Sequence, residues 1–425
     1  MRPAETITLR NGDNLAEKVL EAADGDVIRL EPGRYAGPVE VAGKRIVIEG
    51  APGAVIVPGE GEALMVVREG GRVELSDLAF DSGSDTSKRG LLADGGSIRC
   101  SGCLIEGASF RQVRVYNGSL ELVRSRITGS SEYLVLVQHS DSSIEDTEID
   151  AAKGTALHVE QAKKVDIRHS RIIGTAGTRV QGEAAQIRVV DSEFGARQYT
   201  AMSIEIAGSA EIERTRFDSK GHAFVANLEA GTTMRMSAVE ARGLDWGIYF
   251  DHWGGEKVSH VTLDDVRVAA GKGVALRAVD RIDLIGKDSI FVSRRNAAVI
   301  ADGKDVRVRL EKSVMAAERD PVPVLVGQKE SGKIEVVDCV MFPEKKFDPG
   351  VLPDNDTRRM ARAITDDAAL AEELKAGSTE FLNGGTSDRL ERAAARVRAM
   401  APTITMVSLD MTDGAGRSRP APFNV

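Results

Sequence analysis

SLELVRSRI (119–127), SSIEDTEI (142–149), KVDIRHSRI (164–172), AQIRVVDSEF (185–194) and AEIERTRF (210–217) are one phrase written five times. Each copy sets two apolar residues in alternation, turns through a short polar bend of Ser, Thr or Asp, and closes on a further apolar residue. RVELSDLAF (72–80) and SIRCSGCLI (97–105) precede the series, and MRMSAVEA, VTLDDVRV, LIGKDSI, LEKSVM and VVDCVM follow as looser copies. The closing apolar residue gives the anchors Phe80, Ile105, Ile127, Ile149, Ile172, Phe194, Phe217, Ala241, Val268, Ile290, Met315 and Met341, at steps of 22 to 27 residues. Short period-2 strands repeating in the low twenties predict the rungs of a parallel β-solenoid. A leucine-rich repeat has similar length but needs a fixed leucine and asparagine framework, which is absent.

Rungs bond to one another through their backbones, so an inner proline would remove a ladder donor. None of the 13 prolines falls between Pro58 and Pro321. A coil also has two open ends that need covering. NLAEKVLEAADGD (14–26) predicts a helix with Leu15, Val19 and Leu20 on one face, an Asp13 or Asn14 cap and a stop at Gly25. NDTRRMARAITDDAALAEELKAG (355–377) and SDRLERAAARVRAM (387–400) predict further helices, followed by a strand-like TITMVSL (403–409) and a polar tail. The expected division is residues 1–25 as first strand and capping helix, 26–342 as the β-helix, and 343–425 as a helical cap or accessory region.

The segment from 15 to 56 resembles the opening of the pectate-lyase-like right-handed β-helix proteins, which include alginate lyases, chondroitinase B and pectin methylesterases. The matching pieces are the capping helix, Gly25-Asp26 before Val27-Ile28-Arg29-Leu30, and Pro32-Gly33-Arg34-Tyr35 at the next turn. The resemblance implies an all-β, right-handed parallel β-helix with an N-terminal capping helix and a C-terminal helical cap. It implies no single activity, because this opening sits on lyases, hydrolases, esterases, epimerases and non-catalytic modules. The Lys and Arg pair and the Asn and Glu calcium site of the alginate-lyase group have no counterpart here. Gln138, Gln181, Asp251 and Arg179 echo the inventory of the methylesterases without their local motifs.

Composition narrows the partners. A net charge of -9 argues against nucleic acid held by a general positive field. No stretch approaches a membrane span, and no signal-peptide core opens the chain. A cytoplasmic protein is expected as written, or a secreted or virion-associated one if the native N-terminus has been trimmed. Cys100, Cys103 and Cys339 are an odd count suited to a reducing compartment, and read as buried packing residues. No metal or cofactor is expected; calcium is compatible but has no motif. An oligomer is equally compatible.

Chemistry belongs on a flank, where outward residues of successive rungs stack about 4.8 Å apart. If Val137, Val159, Val180, Ile204 and Phe250 point inward, alternation turns Gln138, Glu160, Gln181, Glu205, Asn227 and Asp251 outward in one row. His158, Arg179, Ser203 and Tyr249 form a second row. The rung from Ala241 to Val268 holds DWGIYFDHWGGE (245–256), with both tryptophans of a chain only 4% aromatic. Asp251, Glu205, Arg179, His158 and Tyr249 are the catalytic candidates. Trp246, Trp253, His252, Glu160, Asn227 and Lys220 are the substrate-binding ones. Two carboxylates support glycoside hydrolysis at a suitable separation, whereas a uronate lyase needs a base and a cation beside the sugar carboxylate, for which Arg179, Lys220, His158 and His222 are available. The favoured expectation is a carbohydrate-active protein that binds a polysaccharide or oligosaccharide along its flank and cleaves it, as lyase more readily than hydrolase. The alternatives are a non-catalytic glycan-binding or fibre-like module and a cytoplasmic scaffold for protein partners.

Overall fold

The computed structural model describes residues 3–83, 89–107, 111–319, 323–326, 332–343, 347–348 and 350–400. The strand-like 403–409 and the tail lie outside them. Each turn of the coil contributes to three sheets. Arg72–Ser76 belongs to the first, Ala79–Asp81 to the second and Arg89–Asp94 to the third. Each strand pairs in parallel with its counterparts one turn away, as Ser97–Ser101 does with Arg72–Ser76 and Ser119–Val123. About 14 turns build a parallel β-helix.

The anchors stack as the repeat predicts. Ile127, Ile149, Ile172, Phe194 and Phe217 are successive partners in the second sheet and fully buried. Phe194 and Phe217 stack with ring centroids 5.4 Å apart. One anchor is corrected: Val268 pairs with Phe291, not Ile290, and Phe291 continues to Met315. Ile290 shares the outward phase and is buried from outside, among Met360, Leu374 and Val397. Two adjacent apolar residues satisfy the local grammar equally, and a one-residue slip exchanges the faces.

The bend between first and second sheets explains its own composition. Arg124, Asp146, His169 and Asp191 hold left-handed φ of 46 to 49°, a conformation that turns the next N–H into the coil. Such a buried donor needs an acceptor. Thr147, Ser170 and Ser192 supply it to the turn behind: the Ser125 N–H donates to Thr147 Oγ1 at 3.3 Å, Thr147 to Ser170 Oγ at 3.1 Å and Ser170 to Ser192 Oγ at 3.2 Å. Each hydroxyl donates in turn to the carbonyl two residues back, Ser170 to Arg168 at 2.6 Å. Cysteine substitutes at two rungs of this ladder. The Cys103 N–H donates to Ser125 Oγ at 3.2 Å, and the Leu78 and Ser313 N–H groups turn to the thiols of Cys103 and Cys339. Burial pushes the Cys339 thiol up to about 12. All three cysteines are buried as expected, but only Cys100 sits in an apolar stack, between Leu75 and Leu122.

Helix α1, Leu15–Glu21, covers the first turns with Leu15 and Val19, and Asn14 Oδ1 accepts the Glu17 N–H at 3.2 Å. Leu20 departs from expectation at 77% exposure, because it falls outside the narrow stripe that a two-turn helix buries. The helix ends before Gly25, with Lys44 Nζ donating to the Val19 and Ala22 carbonyls at 2.7 Å each. At the other end, α2 (Asn355–Asp366) contacts the last strands, while α3 (Ala368–Leu382) and α4 (Asp388–Met400) pack with it on the outer side of the second sheet. Ala269, Val292, Ala316 and Val340 provide that apolar surface. No described helix is long and apolar enough to cross a membrane.

Candidate functional site

Alternation in the third sheet delivers the two outward rows. Val137, Val159, Val180, Ile204, Ala226 and Phe250 point inward and are buried. Gln138 therefore lies beside Glu160, Glu160 beside Gln181, Glu205 beside Asn227, and Asn227 beside Asp251. In the second row Leu136, His158, Arg179, Ser203, Val225, Tyr249 and Arg277 are successive partners.

These rows hold two separate constellations. The first is a cleft of about 340 Å³ whose walls include Arg179, Gln181, Tyr199, Ser203, Glu205 and Asn227. Glu205 Oε2 accepts the Gly182 N–H at 3.1 Å, which fixes the carboxylate across the flank. Beside the cleft, His158 is 2% exposed and packs edge-on against Tyr133 at 4.7 Å. Its Nε2 comes within 2.9 Å of Glu160 Oε1 without hydrogen-bond alignment. Burial lowers the His158 pKa, opposed by Glu160 and reinforced by Arg179, so the imidazole stays neutral. Glu160 is itself held by Gln138 Nε2 at 2.6 Å.

The second constellation lies further along the coil. Arg277 lies over Trp246 at 5.2 Å and Tyr249 at 5.7 Å, and pairs with Asp302 at 2.5 Å. The Tyr249 hydroxyl donates to Asp251 Oδ2 at 3.2 Å. Burial, then the Asp251 charge, pushes the Tyr249 phenol up to about 12, so it remains protonated at neutral pH. Trp246 is thus an outer-face residue whose ring already carries a cation, with Tyr249 edge-on at 5.6 Å.

The structure divides the candidates. Arg179, Glu205 and Asn227 line the cleft, with His158 and Glu160 adjoining it; Trp246, Tyr249 and Asp251 belong to the second group. Glu205 and Asp251 are two register steps apart, roughly 10 Å at the backbone. Lys220 is exposed at the corner leading into His222–Glu229, near the cleft residue Tyr199. Trp253 is 42% exposed at the far end of its strand, beside Glu229. His252 is a correction. It occupies an inward position, is 8% exposed, and is bound internally to Ser259 Oγ at 3.2 Å and the Gly254 carbonyl at 2.9 Å. Alternation itself, continued one residue past Asp251, puts it inside.

Tyr133, Tyr199, Arg277 and Asp302 were not among the sequence candidates. Arg277 and Asp302 were reachable by extending the rows one and two rungs beyond Tyr249; Tyr133 and Tyr199 lie at corners, where periodicity gives no direction. Two groups of potential metal ligands occur among the described residues, Glu145 with Asp146 and His169, and Asp338 with Asp354 and Asp356. They sit at the bend after the first sheet and at the start of α2, away from this flank.

No family model and no curated protein matches the chain. Similar solved structures include pectate lyase Pel9A, at 13% identity over 79% of this chain and 80% of that one, with a TM-score of 0.33. The A-module of Azotobacter vinelandii mannuronan C-5 epimerase AlgE4 is 10% identical, covering 83% of this chain and 100% of that one, with a TM-score of 0.39. The corresponding AlgE6 A-module is 11% identical over 78% and 94%, with a TM-score of 0.28. In fold this chain is a parallel β-helix, and that statement rests on its own strand register.

Proposed function

We propose that this is a carbohydrate-active β-helix protein that holds an acidic polysaccharide along the outer face of its third sheet and cleaves it by β-elimination. The observation that carries the proposal is the cleft that sets one guanidinium, Arg179, in the same hollow as one oriented carboxylate, Glu205, among the neutral polar groups of Gln181, Ser203 and Asn227. Arg179 neutralises the carboxylate of a bound uronate, which makes the neighbouring C5 proton more acidic. Glu205 takes that proton, the C5–H electron pair forms the C4=C5 double bond, and the C4–O bond breaks. The departing glycosidic oxygen is protonated by solvent. Asn227 and Gln181 orient the ring hydroxyls.

A second reading, glycan binding without turnover, is favoured by the pairing of Asp251 with Tyr249 and of Arg277 with Asp302, which leaves that end of the flank internally satisfied. Incubation with a panel of uronate polymers separates the two, by following the ultraviolet absorbance of the unsaturated product and measuring affinity calorimetrically. Glu205→Gln should abolish turnover while retaining binding, and Arg179→Gln should weaken both. Binding without unsaturated product in the parent establishes the second reading. A parent that neither binds nor cleaves any member of a uronate and neutral glycan panel overturns the proposal.

A further inference from the structure

The flank does not end at the Arg179 cleft. Toward the N-terminus, Arg111 and Arg114 lie on one strand of the third sheet, and Arg89 is the direct register neighbour of Arg111 on the turn before. Like charges in direct register repel. Glu62 engages Arg89, and Glu132 stands near Arg111, which offsets part of this repulsion. Arg111 lies 5.9 Å over the Tyr133 ring, and Arg114 reaches Gln138 Oε1 at 3.4 Å. Both guanidiniums are thereby oriented before any ligand arrives. Burial, then the charges of Arg114 and Arg89, makes the Arg111 proton less firmly held than in an ordinary guanidinium.

Register measures the distance from here to the cleft. Arg114, Leu136, His158 and Arg179 are successive partners in one outward row. Three rungs separate the two arginines, or about 14 Å. Beyond the cleft the sign reverses: among the described outward residues from Glu205 onward, Glu205, Glu229, Asp251 and Asp302 face one arginine, Arg277.

We propose that Arg111 and Arg114, walled by Tyr133, form a second anion subsite that takes the acidic group of a sugar residue about three positions from the one held at Arg179. This rests on the acidic-polysaccharide reading and adds to it a minimum length and a direction: the acidic block extends from the cleft toward the N-terminal turns and away from Asp251 and Asp302.

The test is calorimetry of the full chain with uronate oligosaccharides from dimer to hexamer. Affinity should rise at least about tenfold once the ligand spans both subsites, since an additional charge-assisted contact is made. In Arg111→Gln/Arg114→Gln the rise should vanish while dimer affinity stays at the parent value. Arg114→Gln alone, expected to reduce the rise, serves if the double variant lowers the thermal midpoint. A parent with no length dependence, or a variant of parental midpoint that retains all of it, overturns the subsite and leaves the cleft reading standing. Failure of every oligosaccharide to bind the parent removes both.

Discussion

The backbone N–H of Cys339 donates to the hydroxyl of Thr357 at 3.0 Å, so that α2 supplies at the last bend what the following turn supplies at earlier ones. Thr357 is fully buried and its hydroxyl reaches the Val336 carbonyl at 3.4 Å. Thr357→Val keeps the shape and leaves the donor without an acceptor. The expected loss is about 1 to 3 kcal/mol, read from urea unfolding, and Thr357→Ser should recover most of it. An unchanged midpoint in the valine variant would show that the contact adds nothing.

Ile290 and Phe291 separate two kinds of packing within one dipeptide. Phe291→Ala opens a hole in the coil interior and should cost about 3 to 5 kcal/mol in global unfolding. Ile290→Ala loosens the helices from the second sheet, so limited proteolysis within 355–400 should accelerate before the coil itself unfolds. Equal proteolytic patterns in the two variants would contradict the face assignment.

His158 gives stability a pH dependence of defined sign. Its folded pKa lies below the ordinary 6.5 because of burial, so as pH falls through 6.5 the unfolded chain takes up the proton first and stability declines. His222, also lowered by burial, acts in the same direction. Thermal midpoints should therefore fall between about pH 7 and pH 5, and His158→Gln should flatten part of that fall. A midpoint insensitive to pH across this window would refute the buried neutral imidazole.

Trp253 and Asp251 test the far end of the flank. Trp253 is the more exposed tryptophan but stands on the Asp251 side of the cleft, away from the direction assigned to the acidic block, so Trp253→Ala should leave both the thermal midpoint and the affinity for uronate hexamers unchanged. A loss of about tenfold, the size expected for one ring contact, would reverse that direction. Asp251→Asn should spare turnover, since the cleft lies elsewhere, and should lower the Tyr249 pKa from about 12 by removing the adjacent charge. Abolished turnover in Asp251→Asn would move the chemistry from Glu205 to the second constellation.

The coil is legible because backbone pairing repeats the same demand every turn: Ile127 through Phe217 are readable as a stack from the repeat alone. Outward rows followed from alternation alone, which placed Glu160, Glu205 and Asp251 correctly. Legibility stopped at corners and at apolar doublets. Tyr133, Tyr199 and Trp246 emerge where the chain changes sheets, and no period assigns their direction. Ile290 was misassigned because its covering surface arrives from helices some 70 or more residues later. Trp246, Tyr249 and Asp251 do meet within 245–256, but Arg179 and Glu205 form a separate hollow on earlier turns, a division that the rows alone do not reveal because the sites here assemble across turns.

The hydroxyl ladder has a direction. Where a bend carries a hydroxyl or thiol, it accepts from the turn behind while the same residue's N–H is passed to the turn ahead. Val239 and Val266 interrupt the series, which resumes at Ser289 and leaves the Cys339 N–H as the outstanding donor at the last turn. Leu78, at the head of the ladder, needs no hydroxyl, and α1 closes its end with the plain apolar cover of Leu15 and Val19. Only the C-terminal stopper requires a chemically matched residue. This coil is therefore free to vary at its start by trading one greasy lid for another, whereas it finishes on a segment that imitates the rung it replaces.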